Sequence, residues 1–163
     1  MYLLSGEYSF TSVIFVLVFL ALMAVGRWKV FTKMGEKGWK GIIPFYSGYL
    51  MYKRTWDTIF FWMYLVLNVV GSLLSRVVRM GFMPLAVGQI VSYLSSMLVV
   101  LGLIVNVVML RNLARAFGKG WGFTIGLVLL NPIFIFILGM SESQYTGNIY
   151  DEIRKNRKTV NKK

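Results

Sequence analysis

The chain has 163 residues, 57% of them hydrophobic and 15% charged, with a mean hydropathy of +0.65; a soluble domain carries about 45–50% apolar and about 25% charged residues. Its formal charge is +12, from 18 Lys/Arg against 6 Asp/Glu, and it contains neither His nor Cys. Zinc sites of the usual kinds, His-ligated haem, cysteine nucleophiles and Ser-His triads are thereby excluded, and the long apolar runs indicate a single-domain membrane protein.

The first run, 8–26, resembles a signal peptide in having Ala21 and Ala24 near its end. Its flank argues otherwise, because residues 1–9 contain Glu7 and no Lys or Arg. It reads as a retained span whose C-terminal end lies on a cationic side. The polar stretch that follows, 27–54, holds seven Lys/Arg. Gly35, Gly38 and Gly41 oppose a continuing helix, and Pro44 biases Ile43 toward extended backbone. Phe45, Tyr49 and Tyr52 then recur at helical spacing before Lys53 and Arg54. That pattern predicts a short helix among lipid headgroups, rings toward the membrane and cations away. The alternative is the aromatic beginning of the next span. The candidate interaction surface is Lys33, Lys37, Trp39, Lys40, Pro44, Tyr46, Tyr49, Lys53 and Arg54.

Spans are expected at 56–75 and 85–110, separated by Arg76, Arg79, Gly81 and Pro84. A fourth apolar run, 121–140, is interrupted by Asn131-Pro132, and the tail 141–163 is polar and basic. Trp28, Trp39, Trp56 and Trp121 fall near predicted membrane boundaries, where indole is favoured.

Four full spans put ten Lys/Arg, in 27–54 and 111–120, on one side; Arg76, Arg79 and six tail cations face them. Without the tail the positive-inside rule is clear: N-terminus outside, central stretch in the cytoplasm. The tail conflicts with it. Either the tail is outside, or the run 121–140 re-enters as a hairpin, an arrangement that needs its broken backbone covered by protein or facing water.

None of the six acids lies within a span, which argues against a pump or proton-coupled transporter. Asn68 and Asn106, with Gln89, Ser92, Ser95 and Ser96, are polar groups inside spans, expected as helix–helix glue with a substrate path as the rival. Gly118, Gly122 and Gly126 recur every fourth residue and allow close backbone approach, within the chain or between copies. A Ser/Lys dyad is the one hydrolytic candidate. Ser47 has Lys40 and Lys53 nearby, but those lysines stay charged among headgroups, and Ser96-Met97 has no lysine near it. No catalysis and no cofactor are expected.

Phe31, Lys33, Gly35, Gly38, Trp39, Ile43, Pro44 and Tyr46 fit F-x-K-x-G-x-x-G-W-x-x-x-I-P-x-Y, with Ser47 where Asn is usual. Ala114, Phe117, Gly118, Lys119, Gly120, Gly122 and Phe123 fit A-x-x-F-G-K-G-x-G-F, and Pro132, Phe134, Ile137, Leu138, Gly139 and Tyr145 fit P-x-F…I-L-G…Y. With these blocks the chain resembles a family of small bacterial multi-span membrane proteins of unknown function, sometimes labelled signal peptidase I. The resemblance implies a shared helical membrane fold and a bacterial inner-membrane location. It implies no peptidase chemistry, since no matched position is a serine nucleophile.

The expected protein is an all-α integral membrane protein of about four spans, the fourth Pro-broken or re-entrant, with a basic interfacial element between spans one and two. Its expected partners are anionic lipid headgroups, a membrane protein or a second copy of itself, and no nucleic acid, because the cations lie in blocks between apolar runs. An oligomeric channel or transporter subunit is the alternative role.

Overall fold

The structure is a computed structural model that describes residues 10–148. The start of the first run and the tail from residue 149 lie outside the described residues.

Helix α1, Phe10–Lys33, continues beyond the apolar run, so Arg27, Lys29 and Lys33 sit on its last two turns. Lys and Arg are good helix formers, and their charge alone gives the helix no reason to stop. It stops at Gly35, whose φ of +77° suits glycine. There Glu36 N–H donates to Phe31 O and Gly35 N–H to Thr32 O, both 3.0 Å, which makes a Schellman cap. A single 3-10 turn, Gly38–Gly41, folds back along α1. A Cβ on Gly38 would meet Trp28, and one on Gly41 would stand 3.1 Å from the Arg27 carbonyl oxygen.

Helix α2, Pro44–Thr55, has its proline at the first helical position after an extended Ile43. Helix α3, Thr58–Arg79, is capped by Asp57, which accepts from Ile59 N–H at 3.3 Å. Helix α4 is Leu85–Ala116, and the last run divides into α5, Trp121–Leu129, and α6, Asn131–Met140.

Helices α3 and α4 form an antiparallel pair. Asn68 lies over Gly102, Gly71 over the Ser95 carbonyl, and the Ser75 and Ser95 hydroxyls meet at 2.9 Å. Helix α2 packs on both through Ser47, Leu50, Met51, Tyr52 and Thr55. Of the aromatic row expected to face the membrane, Phe45 stays exposed while Tyr49 is half-buried and Tyr52 turns inward. Tyr52 is 1% exposed. Its ring and that of Tyr49 each lie 5.8 Å from Phe61, edge-on, and Tyr52 stacks on Tyr64 at 5.9 Å. Burial against the Phe61 and Tyr64 rings outweighs an interfacial position for this side chain.

Among the described residues three helices are long and apolar enough to cross a membrane: 12–33, 58–79 and 85–116. Helices α5 and α6, of 9 and 10 residues, are about 13 and 15 Å long, roughly half of a ~30 Å hydrocarbon core. They fold back on each other: the rings of Phe123 and Phe134 are 5.1 Å apart, and Phe134 fills the place a Cβ on Gly126 would take. The chain re-forms contact on either side of this hairpin. Thr146 N–H donates to Ala116 O at 2.8 Å, and the rings of Phe117 and Tyr145 are 5.5 Å apart.

Helix α6 runs parallel to α1, with Phe19 and Met23 beside Pro132 and Phe136, and Gly26 beside Gly139. Lys33 Nζ donates to the carbonyls of Leu138 and Ser141, placing a cation on the carbonyls at the end of α6. Tyr145 OH donates to Arg54 O, and Asn148 Nδ2 to Trp56 O at 2.7 Å. The C-terminal ends of α1, α2, α4 and α6 therefore gather at one end of the bundle.

Candidate functional site

The gathered end is held by a carboxylate that the sequence reading passed over. Glu36, 12% exposed, accepts from Lys40 Nζ at 2.7 Å through one oxygen and from Arg54 Nη2 at 2.5 Å through the other. The hydrogen bonds from Lys40 and then Arg54 hold its carboxyl below the usual carboxylate range. The same bond to Glu36 raises Lys40. Lys40 also lies 5.8 Å from the centre of the Tyr46 ring, and Tyr46 stacks on Tyr49 at 6.3 Å.

This node clamps both arms of a loop-and-helix unit whose tip points elsewhere. At the tip, Gly41 packs on the Arg27 carbonyl, six residues and about 9 Å along α1 from Lys33. The side chains there are apolar and exposed: Ile42, Ile43 and Phe45, the last at 74%. Trp39 and Tyr46 are exposed beside them, and Pro44 starts the returning arm. Lys37 and Lys53 are exposed near the clamped end. The unit is thus polarised along its length, cations at one end and apolar side chains at the other.

The nine predicted surface residues have different surroundings. Lys33 is engaged with α6 and Lys40 and Arg54 with Glu36, while Tyr49 is half-buried on Phe61. Among the predicted packing residues, Asn68 lies at the α3–α4 contact and Gly126 beneath Phe134. Gly118 has φ +69° and belongs to a second Schellman cap, with Lys119 N–H donating to Ala114 O at 2.8 Å. Cβ atoms on Gly118 and Gly122 would meet nothing within 4 Å. Within the described residues only Gly126 of that row touches another element.

Both serines considered for a dyad are engaged locally: Ser47 Oγ donates to Pro44 O at 2.8 Å and Ser96 Oγ to Ser92 O at 2.9 Å. Arg111 lies 4.1 Å from the centre of the Trp121 ring and 3.4 Å from Thr124 Oγ1, bracing the start of α5.

Behind α2 is a cavity of about 560 Å3, walled by α2, α3, α4 and the hairpin and reached by Arg27 from α1. Its polar lining includes Asn106, predicted for helix packing, together with Tyr52 and Asn131. Burial pushes the Tyr52 phenol above its ordinary pKa, with the neighbouring Asn106 side chain acting against the shift. No spacing in the sequence joins these residues, because each comes from a different helix.

A model described as a family of unknown function (DUF5684) matches residues 39–148. No curated protein and no solved structure matches the chain.

Proposed function

The chain belongs to that family of unknown function, and from this premise we propose that it is a non-enzymatic protein of the bacterial inner membrane that engages the anionic cytoplasmic leaflet. Helices α1, α3 and α4 cross, and α5–α6 re-enters from the cytoplasmic side. In this arrangement Arg76 and Arg79 are the only cations outside, while 27–54, 111–120 and the tail face the cytoplasm. Sixteen of the eighteen Lys/Arg then lie on the cytoplasmic side, the bias that the positive-inside rule describes. The N-terminus is outside.

The observation that carries the reading is the polarised unit between α1 and α3. Its apolar tip, Ile42, Ile43 and Phe45, reaches about 9 Å along α1 below Lys33, the depth at which an interfacial helix seats its apolar side. Lys37 and Lys53 remain at headgroup level, where each basic side chain is attracted to an anionic surface by about 1 kcal/mol.

Spin labels on Phe45→Cys and Lys53→Cys, in bilayers with and without anionic lipid, test it. The account expects the label at 45 to lie at the acyl boundary and the label at 53 to be in water. A label at 45 as water-accessible as the one at 53 contradicts it.

A further inference from the structure

The cavity behind α2 receives polar side chains from five helices: Arg27 from α1, Ser47 and Tyr52 from α2, Tyr64 and Asn68 from α3, Asn106 from α4 and Asn131 from α6. Helix–helix glue would leave such groups bonded to one another. Here Arg27 Nε is buried with no hydrogen-bond partner, and the hydroxyl of Tyr52, a residue 1% exposed, has the Asn106 side chain beside it but no partner at hydrogen-bond geometry. Asn68 and Asn131 each donate from Nδ2 to a carbonyl of their own helix, Tyr64 O at 2.8 Å and Leu127 O at 3.2 Å. Their side-chain oxygens remain as acceptors.

Among the described residues no acidic side chain lines the cavity, and Glu36 is held by Lys40 and Arg54. Arg27 is half-buried, with its Nε withdrawn from water and no counter-charge beside it, which is costly, and an ionisable group at such a place is a functional position by default. The remaining walls are apolar, among them Phe61, Leu65, Met109 and Leu127. The volume falls in the range of small-molecule sites, as does the pattern of apolar walls with a few convergent polar groups. Its exposed lining residues are Pro44, Phe45, Val69 and Val128, so the mouth opens sideways, between α2, α3 and α5, on the surface that faces lipid.

We propose that this cavity is a binding site for an organic anion with an apolar body. The carboxylate or phosphate group of the ligand pairs with Arg27, Tyr52 OH donates to it or to a neighbouring oxygen, and the Asn68, Asn106 and Asn131 carboxamides take its polar substituents. The apolar body lies on Phe61, Met109 and Leu127. The site does not depend on the headgroup-level contacts of Lys37 and Lys53.

The experiment uses the full chain, delipidated in an uncharged detergent, and native mass spectrometry with three probes. Oleate represents an anion from the membrane, benzoate one from water, and oleyl alcohol the same chain as oleate without charge. The expected result is saturable one-to-one binding of oleate or benzoate, the binder identifying the source, with oleyl alcohol about tenfold weaker or worse. Arg27→Gln lowers that affinity about tenfold or more, the scale of one charge-assisted hydrogen bond. Its thermal midpoint stays at or above that of the unsubstituted protein, since a half-buried charge without a counter-charge has been removed. Tyr52→Phe weakens binding several-fold while keeping the ring packing, and Lys37→Gln with Lys53→Gln leaves it unchanged. Equal binding of oleate and oleyl alcohol without benzoate binding, binding unaltered in Arg27→Gln, or no binding of either anion overturns the proposal.

Discussion

The carbonyl oxygen of Gly26 stands 2.6 Å from the point that a Cβ on Gly139 would occupy, and the Cα of Phe136 stands 2.7 Å from the corresponding point on Gly26. Helices α1 and α6 therefore touch backbone to backbone, and the returning arm of the hairpin is clamped to the first long helix. A methyl group at Gly139 has rigid backbone rather than a flexible side chain to displace. Gly139→Ala is expected to destabilise by about 1–3 kcal/mol, as overpacking does, and Gly122→Ala, which faces open space, by far less. Thermal unfolding of the two variants in one detergent checks the difference.

The Glu36 node predicts an acid sensitivity with a definite sign. Lys40 and Arg54 depress the Glu36 carboxyl, so its contribution is fully present above the ordinary carboxylate value of about 4.3. It is lost as the pH falls through the depressed one. Glu36→Gln should lower the thermal midpoint at pH 7 by a few °C, the effect being screened at a partly exposed pair. The same variant should lose less than the unsubstituted protein when both are taken to acid pH. Identical acid profiles for the two would contradict the node.

Across the α3–α4 contact, Ser75 and Ser95 share a hydrogen bond of 2.9 Å beside the Gly71 crossing. A double-mutant cycle with Ser75→Ala and Ser95→Ala should give a coupling of about 0.6 kcal/mol and no more than about 1.7, the range of interhelical hydrogen bonds in membrane proteins. Reversible unfolding in mixed micelles measures it. A coupling of zero would mean that the two hydroxyls do no more than bond to their own helices.

Much of this architecture is legible in the residues because its signals are local. Apolar run lengths mark the three long helices, Pro44 starts α2, and Asn131-Pro132 marks the break between α5 and α6. Boundaries were less legible: α1 and α4 extend to Lys33 and Ala116, past the ends of their apolar runs, until glycines at positive φ stop them. The inward turn of Tyr52 was hidden because a ring row at a membrane edge has the same spacing whether it faces lipid or protein. Gly26 and Gly139 are each a single small residue, so no repeat announced their contact. The meeting of Arg27, Tyr52 and Asn131 is a property of the tertiary fold, and 104 positions separate the first from the last.

The central claim, that one end of the bundle carries the basic face and both ends of the α5–α6 hairpin, is tested most directly by single-cysteine labelling. The chain has no native cysteine, so Lys37→Cys, Phe82→Cys, Arg115→Cys and Glu142→Cys each report one exposed position. With a membrane-impermeant reagent on sealed vesicles, positions 37, 115 and 142 should label from one side and position 82 from the other. Labelling of 142 from the side of 82 would make the run 121–140 a full crossing and contradict the account.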